Sequence, residues 1–332
     1  MRLALDAMGS DRAPAVEVEG AVGALSDHPD LGIIFVGDRP AIEAELAKHP
    51  GVPRDRYEIV HTTQVIDPGE PPAQAFRRKP HSSIVVGIKL LKKGIVDAFL
   101  SAGSTGAVMA GSVLTLRPLP GVDRPAVGAA IPTESGRCFL IDAGANVDTR
   151  PQHLVQFAHL GTIYAQDLMN LENPRVGLLN IGEEPEKGNE QSVETHQLLS
   201  TAPRLNFIGN VEGRDVVRGA CDVLVCDGFV GNVLLKFYES MGEFFSRTIR
   251  RVFEEAAAQT ELLERVYARL DWTTTGGALL LGVNGSVVIC HGGSPPNAIR
   301  NAVGLAVRAA ERGVAAHIAG RLDRLAEPQE AE

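Results

Sequence analysis

Residues 222–236 read DVLVCDGFVGNVLLK. The apolar run Val223, Leu224, Val225 suits a strand buried on both faces. It ends in Cys226, Asp227, Gly228, then Gly231 and Asn232, and passes into a helix-periodic run through Val233, Leu234, Leu235, Lys236 and Phe237. A strand, a glycine-rich turn and a helix are how an open parallel sheet presents a ligand site at the carboxyl ends of its strands. Glycine lets backbone approach a ligand, and a helix start aims free N–H groups at an anion.

Outward from this stretch the same unit recurs about half a dozen times, and that repetition is the main functional signal. Strand 3–5 leads to the turn Asp6, Ala7, Met8, Gly9, Ser10, Asp11, and a helix runs from Pro14 to about Ser26. Strand 32–36 ends in Gly37 and Asp38, and Pro40 opens the next helix. Strand 57–61 leads into a polar, proline-rich loop, 62–81, carrying a short helix and read as a candidate mobile flap. An amphipathic helix spans 82–93. Strand 97–100 ends in Ser101, Ala102, Gly103, Ser104, Thr105, Gly106, before a helix over 108–116. Strands 124–132 and 137–141 form a hairpin, taken as the only one. The turn Asp142, Ala143, Gly144, Ala145, Asn146 then precedes a long helix opened by Pro151. Strand 175–181 leads to Lys187 and a helix from Asn189. Strand 205–208 ends in Gly209 and Asn210. A last strand, 285–290, ends in His291, Gly292, Gly293, Ser294. Helix 296–312 closes the fold, with frayed residues after it.

The chain has 332 residues, 44% of them hydrophobic and 22% charged, which is ordinary for a soluble globular protein. That length allows a single α/β unit over 1–332, with room for two lobes around a central cleft. A net charge of −9 argues against a general nucleic-acid surface. Cys138, Cys221, Cys226 and Cys290 lack metal or disulfide spacing and read as buried thiols. No stretch reaches the length of a membrane span, and residue 1 leads straight into a strand, leaving no room for a signal peptide. The expected setting is the reduced cytoplasm.

Residues 237–270 break the pattern. Phe245, Ile249, Val252 and Phe253 share one helical face, and Leu262, Leu263, Val266, Tyr267 and Leu270 share a second. Arg247, Arg250 and Arg251 lie mostly opposite. Two amphipathic helices joined near 256–260 would project as a hairpin. Its plain reading is a dimer interface or core cover, ahead of membrane contact.

Familiar fingerprints fail. The chain has no GxxxxGK[ST], no GxGxxG and no GxSxG, and no HExxH or His/Cys cluster for zinc. No cofactor is expected. Asp6, Asp142 and Asp227 each end a strand and could hold magnesium, although such aspartates more often accept from backbone N–H groups in tight turns. What remains is a surface of glycines, including Gly9, Gly103, Gly228 and Gly231, with the hydroxyls of Ser10, Ser101, Ser104 and Thr105. The amides of Asn146, Asn180, Asn210 and Asn232 join them, with Lys187 and His291 as the charged or titratable members. Backbone nests with hydroxyls bind phosphate, and amides with a lysine suit a developing oxyanion. Singly, each residue has a structural role at least as plausible. Their joint placement at strand ends favours a site.

Seven blocks in fixed order resemble the PlsX family, the acyl-carrier-protein:phosphate acyltransferases of bacterial phospholipid synthesis. They are LALDAMGSDRAP, LSAGSTGAVMAG, IDAGANVDTRPQHLVQFAHLG, VGLLNIGEEPEKGN, FIGNVEGRD, CDVLVCDGFVGNVLLK and GGALLLGVNGSVVICHGGS. The chain departs from the family pattern at Ser10 (glycine), Arg12 (histidine) and Thr275 (tyrosine). The resemblance implies a fold similar to phosphotransacetylases and isocitrate/isopropylmalate-type dehydrogenases. It implies a homodimer that converts acyl-ACP and inorganic phosphate to acyl phosphate and ACP. It also implies peripheral membrane association, with a downstream membrane glycerol-phosphate acyltransferase as consumer.

On that reading Gly103, Ser104, Thr105 and Asn146 cradle phosphate, within a ligand surface that includes Asp6, Gly9, Ser10, Ser101, Asn180, Asp227, Gly228 and Gly231. Lys187 and Asn232 polarise the carbonyl, and His291 protonates the leaving sulfur or binds the pantetheine arm. Phe245, Arg247, Ile249, Arg250, Arg251, Val252 and Phe253 meet ACP or membrane. Competing readings are a CoA-dependent phosphate acetyl- or butyryltransferase, a metal-dependent decarboxylating dehydrogenase, and a membrane-bound scaffold without turnover.

Overall fold

The computed structural model describes residues 1–255 and 276–326. The described chain divides into two compact units, one of residues 1–127, 167–169 and 276–326, the other of 128–166 and 170–255.

The first unit begins with β1 (Arg2–Asp6), α1 (Ala15–Asp27), β2 (Gly32–Gly37), α2 (Arg39–Leu46) and β3 (Tyr57–His61). It continues with α3 (Pro72–Arg78), α4 (Ser83–Lys92), β4 (Ala98–Ser101) and α5 (Thr105–Thr115). The second unit holds β5 (Ala126–Thr133) from residue 128 on, β6 (Gly136–Ile141), α6 (Pro151–Met169) up to residue 166, β7 (Arg175–Asn180) and α7 (Glu190–Thr201). After these come β8 (Asn206–Glu212), α8 (Gly213–Val216), β9 (Val223–Val225) and α9 (Gly228–Glu255). The chain returns to the first unit with β10 (Ala278–Leu281), β11 (Ser286–Ile289), α10 (Pro296–Glu311) and α11 (Val314–Ala326).

In the first unit the strand order is β3-β2-β1-β4-β11-β10, parallel except that β10 runs against β11. In the second it is β5-β6-β9-β7-β8, parallel except for the β5–β6 hairpin. Both central strands, β1 and β9, read as continuous apolar runs because both faces are covered. Glycine on a neighbouring element makes room for the largest core rings. A Cβ at Gly87 of α4 would collide with Phe99, and one at Gly128 of β5 with Phe139. Phe139 also stacks on Tyr164 of α6, ring centroids 3.6 Å apart.

Several boundaries differ from expectation. The β5–β6 hairpin has a companion, since Ala278–Leu281 pairs antiparallel with Ser286–Ile289. The apolar run before Gly282 is a strand of its own, and Gly282 and Gly285, both at positive φ, turn the chain between them. Strand β8 runs through Gly209 and Asn210, which the sequence suggests as its end, because Gly209 (φ 98°) absorbs an irregularity opposite 176–178. Helix α9 starts at Gly228, so Gly231 and Asn232 lie in its first turns rather than in an open loop. Residues 314–326 are helical, where fraying is expected. Within 62–81, α3 is seated on α5, with Pro72 against Gly106 and Phe76 against Gly111. Of the expected hairpin over 237–270, the first helix is the far half of α9. The second, 262–270, lies outside the described residues, as does Thr275.

Candidate active site

In the first unit three neighbouring strands, β1, β4 and β11, deliver their exit turns to one end of the sheet. Asp6 is fully buried there. Its carboxylate accepts from Ser101 Oγ at 2.7 Å and from the Met8 N–H at 3.1 Å. Burial raises the Asp6 carboxyl above its ordinary range, against hydrogen bonds from Ser83, Ser101 and Met8 that favour the charged form. Ser101 Oγ in turn accepts from the Gly103 N–H at 3.0 Å. Gly9 sits directly on this turn, where a Cβ would lie 2.6 Å from Gly103 N. Only glycine allows the β1 turn to lie flat on the β4 turn.

Ser104 caps α5, its Oγ accepting from the Ala107 N–H at 3.4 Å, and Thr105 is exposed at the first helical position. The β11 turn joins through the Asp11 N–H, which donates to Gly292 O at 2.9 Å. His291 is exposed, and its carbonyl accepts from the Ser294 N–H at 3.0 Å. Asp6, Gly9, Ser10, Ser101, Gly103, Ser104, Thr105 and His291 therefore fall on adjoining turns. Ser10 does not belong to the described non-glycine residues at positive φ (Arg117, Asn170, Arg204), so a serine meets no backbone strain there.

In the second unit Asp142 is the organiser. Its carboxylate accepts from the N–H groups of Gly144 (3.2 Å), Ala145 (2.9 Å) and Asn146 (2.6 Å), and from Asn146 Nδ2 (2.9 Å). Asp227 caps α9, its Oδ1 accepting from the Val230 N–H at 2.9 Å, and the Gly228 N–H donates to Asn146 O at 2.8 Å. Asn232 Nδ2 donates to Ala143 O at 3.3 Å. Asn146, Asp227, Gly228, Gly231 and Asn232 thus form one cluster at the ends of β6 and β9. Asn180 and Lys187 share the exit loop of β7. The Asn180 amide donates to Lys187 O (2.9 Å) and accepts from the Ile181 N–H (2.8 Å), while the Lys187 side chain is exposed. Asp6, Asp142 and Asp227 each accept backbone N–H groups of their own turns, the commoner of the two roles open to such aspartates.

The arm residues lie elsewhere. Phe245, Arg247, Ile249, Arg250, Arg251 and Val252 are on the distal half of α9. Phe253 is also in that helix, but its side chain is outside the described residues. Along α9, Phe229, Val230, Val233, Phe237, Phe244, Phe245 and Val252 are exposed, a nearly unbroken apolar stripe. Arg247 pairs with Glu243 at 3.8 Å, an exposed contact of little energetic weight.

All four cysteines are free and buried, and Cys138 and Cys221 meet Sγ to Sγ at 3.7 Å. Burial and the Asp227 and Asp142 charges push the Cys226 thiol well up, and burial with Glu17 pushes Cys290 up to about 12. These two thiols are protonated at neutral pH and are not nucleophiles.

One residue escapes sequence reasoning. Glu17 of α1 is fully buried, and its Oε1 accepts from the Ser10 N–H at 2.7 Å. The signal was available, because Glu17 shares the buried helical face of Gly20, Ala21 and Ala24 at spacings of three, four and seven.

A family model described as fatty acid synthesis protein matches residues 1–317. The chain belongs to the PlsX family of phosphate acyltransferases. It is similar to the phosphate acyltransferase of Moorella thermoacetica, 48% identical over 322 residues that cover 95% of this chain and 94% of the relative. The phosphate acyltransferase of Halothermothrix orenii is 44% identical over 323 residues, covering 95% and 96%. The chain is an acyltransferase. Its fold is that of the phosphotransacetylases. A Streptococcus pyogenes phosphotransacetylase superposes with a TM-score of 0.63 at 19% identity, covering 94% of each chain. A branched-chain phosphotransacylase from Enterococcus faecalis gives 0.61 at 15% identity, covering 93% of this chain and 99% of that one.

Proposed function

We propose that this phosphate acyltransferase moves a long-chain fatty acyl group from acyl-ACP to inorganic phosphate, giving an acyl phosphate for phospholipid synthesis. The observation that carries the reading is kinship to phosphate acyltransferases over 95% of the chain at 44–48% identity. The phosphotransacetylases share the fold at 15–19% identity, which gives the CoA-dependent alternative less support.

A phosphate oxygen attacks the thioester carbonyl carbon. The tetrahedral oxyanion collapses, the C–S bond breaks, and the thiolate takes a proton. Phosphate is itself the nucleophile, so the work left to the protein is holding it close, which is worth about 7–11 kcal/mol at best, and stabilising the oxyanion. Gly103, Ser104 and Thr105, at the start of α5, suit the phosphate. Lys187 and Asn232 are the candidates for the carbonyl oxygen, and His291 for the proton delivered to sulfur. The apolar stripe of α9 suits a homodimer, and Arg247, Arg250 and Arg251 suit acidic ACP or an anionic membrane surface.

The test is phosphate-dependent consumption of long-chain acyl-ACP with acyl phosphate as product, with and without EDTA. Turnover that requires phosphate and survives EDTA supports the proposal. Activity confined to a short acyl-CoA overturns it.

A further inference from the structure

Strand β8 carries one residue more than its partner. Phe207 pairs with Val176 and Asn210 with Leu178, so two residues of β8, Ile208 and Gly209, stand opposite Gly177 alone. Gly209, at φ 98°, supplies the backbone angle that this bulge needs. In an unbroken strand Asn210 would share the face of Ile208, which is exposed. The extra residue turns it to the other face, and Asn210 and Val211 are buried in succession.

The turned amide meets the exit loop of β7. Asn210 Nδ2 donates to Glu184 O at 2.8 Å, and the same carbonyl accepts from the Lys187 N–H at 3.1 Å. The orientation of the amide follows from its partner, since Oδ1 in that place would face another oxygen. The far side of the loop is closed by Asn180, whose amide donates to Lys187 O at 2.9 Å. A Cβ at Gly182 would lie 3.0 Å from Lys187 Cγ, so the lysine stem passes over Gly182. Asn210 thus pins the one turn, 184–187, on which Lys187 is carried.

The fold gains little from this amide. Glu184 O already has the Lys187 N–H, while Asn210 Oδ1 is buried with no hydrogen-bond partner. A buried acceptor without a donor costs at least as much as one neutral hydrogen bond contributes. A buried polar group with that balance calls for a reason other than stability.

We infer that Asn210 is a positioning residue for acyl transfer: it holds the 184–187 turn in the shape that aims Lys187 at the thioester carbonyl oxygen. Lysine is a flexible stem with a point charge at its end, so the backbone beneath it sets its reach. This rests on the reading of Lys187 as the group that stabilises the oxyanion.

The experiment is a double-mutant cycle on kcat and on KM for phosphate, with wild type, Asn210→Ala, Lys187→Ala and the double variant on long-chain acyl-ACP. Slow variants are read with enzyme in excess of acyl-ACP. Asn210→Ala is expected to lower kcat about tenfold and leave KM for phosphate unchanged. In the Lys187→Ala background it is expected to cause no further fall, because the lysine it positions is gone. Wild-type kcat in Asn210→Ala, with Lys187→Ala impaired, overturns the inference and leaves the role of Lys187 standing. An equal further loss in the Lys187→Ala background also overturns it, since the amide then serves the fold as a whole. Wild-type kcat in Lys187→Ala removes Lys187 from the mechanism and the inference with it. Asn210→Leu replaces the alanine variant if that does not fold. It has neither the donor nor the unpaired oxygen, so it should melt at the wild-type temperature and lose the same tenfold in kcat, about one order of magnitude. Wild-type kcat in Asn210→Leu overturns the inference.

Discussion

Replacing Asp142 with asparagine should release the turn that carries Asn146. The native carboxylate accepts four hydrogen bonds, two through Oδ1 from Gly144 and Ala145 and two through Oδ2 from the backbone and side chain of Asn146. Asparagine keeps one oxygen. Wherever it points, its NH2 group faces two donors that previously met an acceptor. Hydrogen bonds to a charged group contribute about 1.5–3 kcal/mol each, so losing two costs about 3–6 kcal/mol. That is a large fraction of the roughly 5–15 kcal/mol stability of a folded protein. The loss should appear locally first. Taking about 3 kcal/mol as the local opening cost, amide exchange over 142–150 speeds up about a hundredfold. Hydrogen-exchange mass spectrometry of native protein and Asp142→Asn reads this directly, with residues 175–187 as the internal control. If 142–150 keeps its protection while Asp142→Asn is folded, the carboxylate does not organise the turn and the reasoning fails.

Glu17 also sets a pH dependence of stability. Its carboxyl rises from 4.5 to about 7 on folding. The folded state therefore holds a proton that the unfolded state has released, and stability falls as pH rises from about 4.5 through about 7. At about 1.4 kcal/mol per unit the difference is about 3 kcal/mol, to be read from urea unfolding near pH 5 and pH 8. Glu17→Gln should flatten that difference. Gly128→Ala forces a Cβ into the Phe139 ring and should lower stability by about 1–3 kcal/mol, with Phe139→Leu in the same chain restoring part of it in thermal melts. Lys187→Ala and Asn232→Ala should each lower kcat for acyl-ACP about tenfold or more; wild-type turnover in both would remove them from the mechanism. Phe237→Asp with Phe244→Asp should shift a dimer to monomer by analytical ultracentrifugation, and an unchanged mass would place any interface off the apolar stripe of α9.

Most of the fold was legible because its strands are short apolar runs closed by glycine turns, a pattern that periodicity and turn chemistry report directly. The failures have local causes. Residues 278–281 form a strand whose partner is its own neighbour, and the sequence GGALLLGVNGS hides two strands inside one apolar stretch. Residues 228–232 look like a loop because glycine is a poor helix former. Yet a Cβ at Gly228 would meet Asn146 O at 2.7 Å, so close packing selected glycine inside a helix. Strand-end residues were found as a class, because position relative to a strand is visible in sequence. Their partners were not. That Asn146 would donate to Asp142, or that Glu17 would turn inward against Ser10, depends on which turns the fold brings together.

The surroundings of Cys226 and Cys290 also bear on which groups could act as nucleophiles in acyl transfer. Cys226 and Cys290, the cysteines closest in sequence to the strand-end turns, are held as neutral thiols by burial and by neighbouring carboxylates. A covalent acyl-cysteine would need the thiolate that this surrounding suppresses. Buried carboxylates instead bind backbone: Asp6 fixes Met8 and, through Ser101, Gly103, while Asp142 fixes 144–146. In each unit a buried carboxylate thus lies beneath a turn, where it orders N–H groups. Each N–H pinned from below holds the shape of its turn, as a backbone nest for an anion would require.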